Sequence, residues 1–154
     1  MSVSSANAPA GSKTRYVETL TSGTSWTVPT GVEYVNATLV GGGGSGASNN
    51  ATAPSAPGYG GQIITTAVTT TPGASIAYTI GAGGAGASYS GSGNAGGSTT
   101  FTGATTAVGG NGGSTNTGTA PNAGISANNG SIGGYQTGAS ATGGAGQIIL
   151  EYWK

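Results

Sequence analysis

Six charged side chains are all that this chain offers for acid–base or ionic chemistry: the acids Glu18, Glu33 and Glu151, and the bases Lys13, Arg15 and Lys154. Between Glu33 and Glu151 there is no Asp, Glu, Lys, Arg, His or Cys. General acid–base catalysis needs a titratable group held at the reacting bond, and metal sites need imidazole, thiolate or carboxylate ligands. Most of the chain supplies neither. Serines and threonines are abundant, but a serine nucleophile needs a base and the chain has no histidine. The one pairing suited to catalysis is Glu33 with Glu151, expected on neighbouring strands, since glycoside hydrolysis uses two facing carboxylates. The competing reading, which we prefer, is two solvent-facing charges that discourage edge pairing. The expectation is therefore a protein that is not an enzyme, with no catalytic residue, cofactor or metal.

Two glycine motifs fail on context. Gly81-Ala82-Gly83-Gly84-Ala85-Gly86 has dinucleotide-binding spacing, but neither a helical sequence nor an acidic residue follows it. Residues 41–46 lack the Lys-Ser/Thr that completes a phosphate-binding loop. Zero net charge, with basic residues only near the two ends, argues against nucleic acid. It also favours self-association. No apolar run approaches a membrane span, so no membrane insertion is expected. The first residues lack the basic start and apolar core of a signal peptide.

The elements that must carry any function are strands. Charged residues are 4% of the chain against about 25% in ordinary domains. The 34 glycines and 6 prolines bring it to the edge of compositions that stay disordered. Against disorder, the apolar residues are clustered into β-branched runs, and net charge is zero rather than high. Trp26 and Val28, Pro29-Thr30-Gly31 and then residues 32–40 read as a hairpin. Residues 62–70 read as a strand, Thr71-Pro72-Gly73 as a turn, and 75–80 as an amphipathic strand with Ile76, Tyr78 and Ile80 on one face. Residues 98–108 read as two short strands around Gly103, and 147–153 as a closing strand that returns to the early ones. The predicted class is all-β, a small jelly-roll-like β-sandwich. Residues 1–16 are read as a flexible attachment arm carrying Lys13 and Arg15, and residues 17–154 as the domain. A modest core suggests a homotrimer that shares it.

Three long glycine-rich excursions interrupt the strands, at 41–60, 81–97 and 109–146. Polyglycine II packing would give them order. A polyproline-II-type helix has three residues per turn and no internal hydrogen bonds, so glycine at every third position lets neighbours approach and bond. Gly109, Gly112, Gly118, Gly124, Gly130 and Gly133 share one such register, while Gly110, Gly113 and Gly134 fall outside it. Ordinary coil is the alternative. The excursions also carry Tyr59, Tyr89 and Tyr135. Tyr with Ser, Gly and Asn is the palette of adaptable recognition loops, so these rings are candidate receptor contacts. The competing reading, which we prefer, is that each ring covers bare glycine backbone and packs.

Residues 22–46, with Trp26-Thr27-Val28-Pro29-Thr30-Gly31-Val32 followed by a strand and a Gly block, resemble the opening of the glycine-rich domain of bacteriophage tail-fibre and other virion surface proteins. Residues 75–86, 96–101, 107–113, 133–135 and 144–153 are similar to later parts of it. The resemblance covers nearly everything after residue 16. It implies a β-sandwich displayed on a virion, often in threes, without catalysis. It further implies partners among capsid or fibre proteins, reached through the N-terminal arm, and a host surface glycan or protein. The location implied is the virion surface, after synthesis in the host cytoplasm. Tail-fibre or adhesin tip and capsid decoration or appendage are both open. A stand-alone ice- or glycan-binding protein, using flat uncharged faces, is the alternative from a different class.

Overall fold

The computed structural model describes residues 13–48, 56–88, 91–115 and 141–154. They form strands β1 (Arg15–Leu20), β2 (Ser25–Thr27), β3 (Tyr34–Val40), β4 (Ile63–Thr69), β5 (Ser75–Thr79), β6 (Thr100–Phe101) and β7 (Gln147–Trp153). No helix occurs among the described residues. Two antiparallel sheets face each other, one ordered β1-β7-β3-β4 and one ordered β2-β5-β6. The chain is all-β, a small sandwich, as the period-two patterns predict.

Alternation sets the core. Along β7, Ile148, Leu150 and Tyr152 are buried, while their neighbours are only half-buried. Val35, Ala37 and Leu39 of β3 meet them, and Trp26, Tyr78 and Phe101 come from the smaller sheet. The sandwich core of the described residues is built from both sheets of the one chain. Strand β3 buries Val35, Ala37 and Leu39 on one face, while Tyr34 at the start of the other is 52% exposed.

The hairpin expected across Pro29-Thr30-Gly31 does not form. Strand β2 pairs with β5 in the small sheet, whereas β3 pairs with β4 and β7 in the large one. The turn carries the chain from one sheet to the other, with Gly31 at φ 82°. Pro72-Gly73 does the same between β4 and β5. Turn chemistry fixes the reversal of the chain, but the next strand's partner is fixed by which core it completes. Residues 98–108 also form less strand than predicted: β6 is two residues long, closed by a bridge between Thr99 and Ala107. Strand β1 begins inside the expected flexible arm, and Thr14 exchanges backbone bonds with Lys154.

The glycine-rich stretches form a second ordered body, continuous with the sandwich. Six segments run side by side: 41–48, 56–62, 81–87, 91–97, 108–115 and 141–146. In the first, Gly41, Gly44 and Ala47 donate to the carbonyls of Gln62, Tyr59 and Ala56 in the second. Gly42, Ser45 and Ser48 donate to Gly97, Asn94 and Gly91 in the fourth, and Gly43 donates to Gly144 in the sixth. The carbonyl of Gly43 accepts from Gly84 of the third segment, and those of Gly42 and Ser45 accept from Gly110 and Gly113 of the fifth. Every residue of 41–48 is buried. Partners repeating every third residue, in several directions, are the signature of a three-per-turn helix without internal bonds. Burial repeats likewise: Gly81, Gly84 and Ala87 are buried, while Ala82, Ala85 and Ser88 are exposed. The described parts of the excursions are packed polyglycine II helices rather than coil.

Glycine is required there by space. A Cβ on Gly58 or Gly61 would strike the carbonyls of Gly44 and Gly41, and one on Gly93 or Gly96 those of Ser45 and Gly42. The fifth segment needs two glycine registers. Gly109 and Gly112 face Gly96 and Gly93, while Gly110 and Gly113 face Tyr59 and Ala56. Gly110 and Gly113, which fall outside the expected single register, are thus contact residues for a second neighbour, while Gly134 and the register positions from Gly118 to Gly133 lie outside the described residues.

Candidate functional site

The bundle's geometry gives it a tip. Each segment joins a strand at one end, as Gly41 follows β3 and Gly146 precedes β7. Their other ends meet: Ala47 donates to Ala56, Ser48 to Gly91 at 2.9 Å, and Ala56 to Ser114 at 3.3 Å. Ser48, Ala56, Ser88, Gly91 and Ser114 therefore lie at the end remote from the sheets, and all are uncharged. Ser48 and Ala56 are buried there, while Ser88 and Ser114 are exposed and can offer hydroxyls to a partner.

The three candidate tyrosines do not form one described cluster. Tyr59 lies midway along the bundle. Its carbonyl accepts from Gly44, its N–H donates to Asn111, and it is 37% exposed on the flank. Tyr89 and Tyr135 lie outside the described residues. Of the arm residues, Lys13 is exposed, while Arg15 is on β1 and forms an ion pair with Glu151 that raises the guanidinium pKa.

The acids are disposed as structural groups. Glu151 faces outward on β7, in a row with Val17 and Asn36, where Arg15 engages it. Glu33 precedes β3, and its carbonyl accepts from Thr70 at 2.7 Å. No group of acids suited to holding a metal occurs among the described residues.

One polar cluster was not foreseen. Glu18 points inward from β1, where its carboxylate accepts from Trp26 Nε1 at 2.9 Å and from the Tyr152 hydroxyl. Tyr16 stacks on Tyr152 at 5.6 Å, and the Lys154 ammonium lies 4.4 Å from the Tyr16 ring centre. Burial, then the hydrogen bond to the Glu18 carboxylate, pushes the Tyr152 phenol up to about 12. The only sequence signal was an acid alternating with Tyr16 and Leu20 on a strand, which marks an inward position. Both indole and phenol reach the carboxylate. The cluster ties β1, β2 and β7 together.

No curated protein matches the chain. A family model described as a glycine-rich domain matches residues 19–152, running from β1 to β7 and spanning the sandwich and the polyglycine bundle alike. The chain belongs to the glycine-rich domain family.

Proposed function

We propose that this chain is a non-enzymatic structural protein of a bacteriophage particle, displayed on the virion surface as a tail-fibre or adhesin tip or as a capsid decoration. Its partners are other virion proteins, bound through the stretch that precedes β1 together with Lys13. The polyglycine bundle stands outward and meets or shields the host-facing side, and the working form is a homotrimer. The observation that carries this reading is the meeting of five glycine segments at one uncharged end, with the buried segment 41–48 at their centre. A rigid stalk with a neutral polar end suits recognition by shape, and loops on rigid scaffolds are where binding residues concentrate. The resemblance of residues 22–46 to virion surface domains supports the location.

The test is immunogold electron microscopy on particles released from cells that carry the gene. Label at the tail or on the shell is expected, and particles free of label refute the proposal. If label sits at a tail tip, replacing Tyr59, Tyr89 and Tyr135 by Ala is expected to weaken adsorption to host cells.

A second reading has one observation in its favour. The outward face of the three-stranded sheet carries Ser25, Thr27, Ser75, Thr79 and Thr100, with Thr79 Oγ1 and Thr100 Oγ1 2.7 Å apart. A flat hydroxyl face of that kind suits ice or a glycan, and thermal-hysteresis and glycan-array measurements decide whether it binds either.

A further inference from the structure

We infer that the free edge of β4 docks on the free edge of β1 in a second copy, row to row and with both bundles pointing the same way, so that the four-stranded sheets close into a ring. The inference rests on the proposed self-assembly and adds the surfaces and the register.

The edges are defined by hydrogen bonding. Thr70 N–H donates to Glu33 C=O, so the pairs toward β3 involve Val68, Thr66 and Ile64. Alternation in an antiparallel ladder then turns the N–H and C=O of Ile63, Thr65, Ala67 and Thr69 away from β3. Thr14 and Lys154 exchange both backbone bonds, at 2.9 and 3.1 Å, which by the same rule turns Arg15, Val17 and Thr19 away from β7. Neither set has a backbone partner among the described residues. Among the described residues, the loop after β6 reaches β4 through inward side chains, with Thr105 N–H on Thr66 Oγ1 and Gly103 beside Val68, and none of them pairs with the edge itself.

Three features match the two edges to each other. First, direction: β4 runs away from the bundle and β1 toward it, so copies with parallel bundles bring them together antiparallel. Second, height: Val17, Glu151, Asn36 and Ala67 form one row across the sheet, and Thr19, Ile149, Thr38 and Thr65 form another. Ala67 beside Val17 of the next copy, and Thr65 beside Thr19, continue these rows. A head-to-tail contact of this kind closes into a ring where its rotation closes. Third, charge: β4 carries none, and the charged member of the β1 edge, Arg15, meets Thr69 while keeping Glu151. No like charges are opposed.

The closure also accounts for the outer face of the large sheet. Val17, Tyr34 and Ile63 are each 51–52% exposed there, beside the half-buried Ile149 and Trp153. The opposite face is covered by the small sheet, so a ring turns this mixed face, which also carries Arg15, Glu151, Asn36, Thr38 and Thr65, toward its axis. Strand β4 is seven residues long, without proline or charge to blunt it. Such an edge invites pairing unless it is covered, and closure is what removes edges.

The experiment is light scattering on sized protein together with cysteine pairing, which is clean because the chain has no cysteine. The wild type is expected at a small multiple of 14.3 kDa. Ala67→Pro removes an N–H that points away from β3, leaving that ladder intact. It is expected to run as a monomer with an unchanged circular dichroism spectrum. Val17→Cys/Ala67→Cys is expected to form disulfide-linked oligomers on mild oxidation, and Thr19→Cys/Ala67→Cys far fewer. A monomeric wild type overturns both the self-assembly reading and this inference. An assembled wild type whose Ala67→Pro variant stays assembled, or whose Val17/Ala67 pair fails to link, overturns the inference alone.

Discussion

Replacing Gly44 by Ala adds one methyl group at the centre of the polyglycine bundle. That methyl lands on the carbonyl oxygen of Asn111, with the Asn111 carbonyl carbon at 2.5 Å and the Gly110 oxygen at 2.9 Å. Backbone carbon–oxygen contacts relax to about 3.3–3.6 Å, so the fifth segment must retreat by roughly 1 Å. Two buried bonds bracket the contact, Gly110 N–H to Gly42 and Gly113 N–H to Ser45, at 2.8 and 2.9 Å. Leaving buried backbone groups unsatisfied costs about 1–3 kcal/mol each. The smaller conformational freedom of Ala in the unfolded chain offsets about 0.4–1 kcal/mol. The net loss is about 1–6 kcal/mol, and at about 2–4 °C per kcal/mol for a chain of this size the midpoint falls by about 2–22 °C. Two controls isolate packing. Gly31→Ala meets nothing within 4 Å and carries only the strain of φ +82°, about 1–2 kcal/mol. Ala85→Ser lies on the exposed register of the third segment and is expected to stay within about 0.5 kcal/mol. Urea denaturation followed by the fluorescence of buried Trp26 gives all three. A Gly44→Ala protein no less stable than Gly31→Ala refutes the packed-helix account.

Further predictions concern the charged and phenolic groups. Glu18→Ala leaves Trp26 Nε1 and the Tyr152 hydroxyl without their acceptor, and is expected to cost about 1–3 kcal/mol and to alter Trp26 emission, both measured in urea titrations. For Tyr152, the folded state keeps its proton up to about pH 12, whereas the unfolded chain releases it near the ordinary value of 10.0. The stabilisation is therefore full below pH 10 and is lost as pH rises toward 12. Denaturation midpoints are expected to fall across that window more steeply in the wild type than in Tyr152→Phe. Arg15→Ala removes an exposed ion pair and is expected to change stability by less than about 1 kcal/mol, as read from the thermal midpoint.

Strand positions were legible because β-branched alternation is local: β4, β5 and β7 lie where the residues place them. Strand partners were less so. Pro29-Thr30-Gly31 and Pro72-Gly73 have the chemistry of hairpin turns, yet both carry the chain between sheets, a choice made by distant core residues such as Ile148 and Leu150. The bundle was half visible. The period of three could be read from Gly109 and Gly112, but a segment with neighbours on two sides needs two glycine registers. Gly110 and Gly113 therefore looked like exceptions to a rule they obey. The Glu18 cluster was hidden because β1 and β7 come from opposite ends of the chain. Tyr59 was placed on the bundle correctly, but its position on the flank follows from the antiparallel return of 56–62, which composition does not encode.

The stretch 141–153 supplies two keystones at once. Its first residues complete the shell around the buried segment 41–48, and its last seven form β7, the strand lying between β1 and β3. On the ribosome, a chain made as far as residue 140 has neither: β1 has no neighbour in the large sheet, and the central glycine helix still lacks the carbonyl of Gly144 that takes up Gly43 N–H. Folding must wait until residues 141–153 have been made and have emerged. Loops closed over such long separations make that final step slow, with uncharged β-branched strands exposed meanwhile. Synthesis in bulk is thus expected to depend on temperature and on chaperone supply far more than the finished protein's stability would suggest.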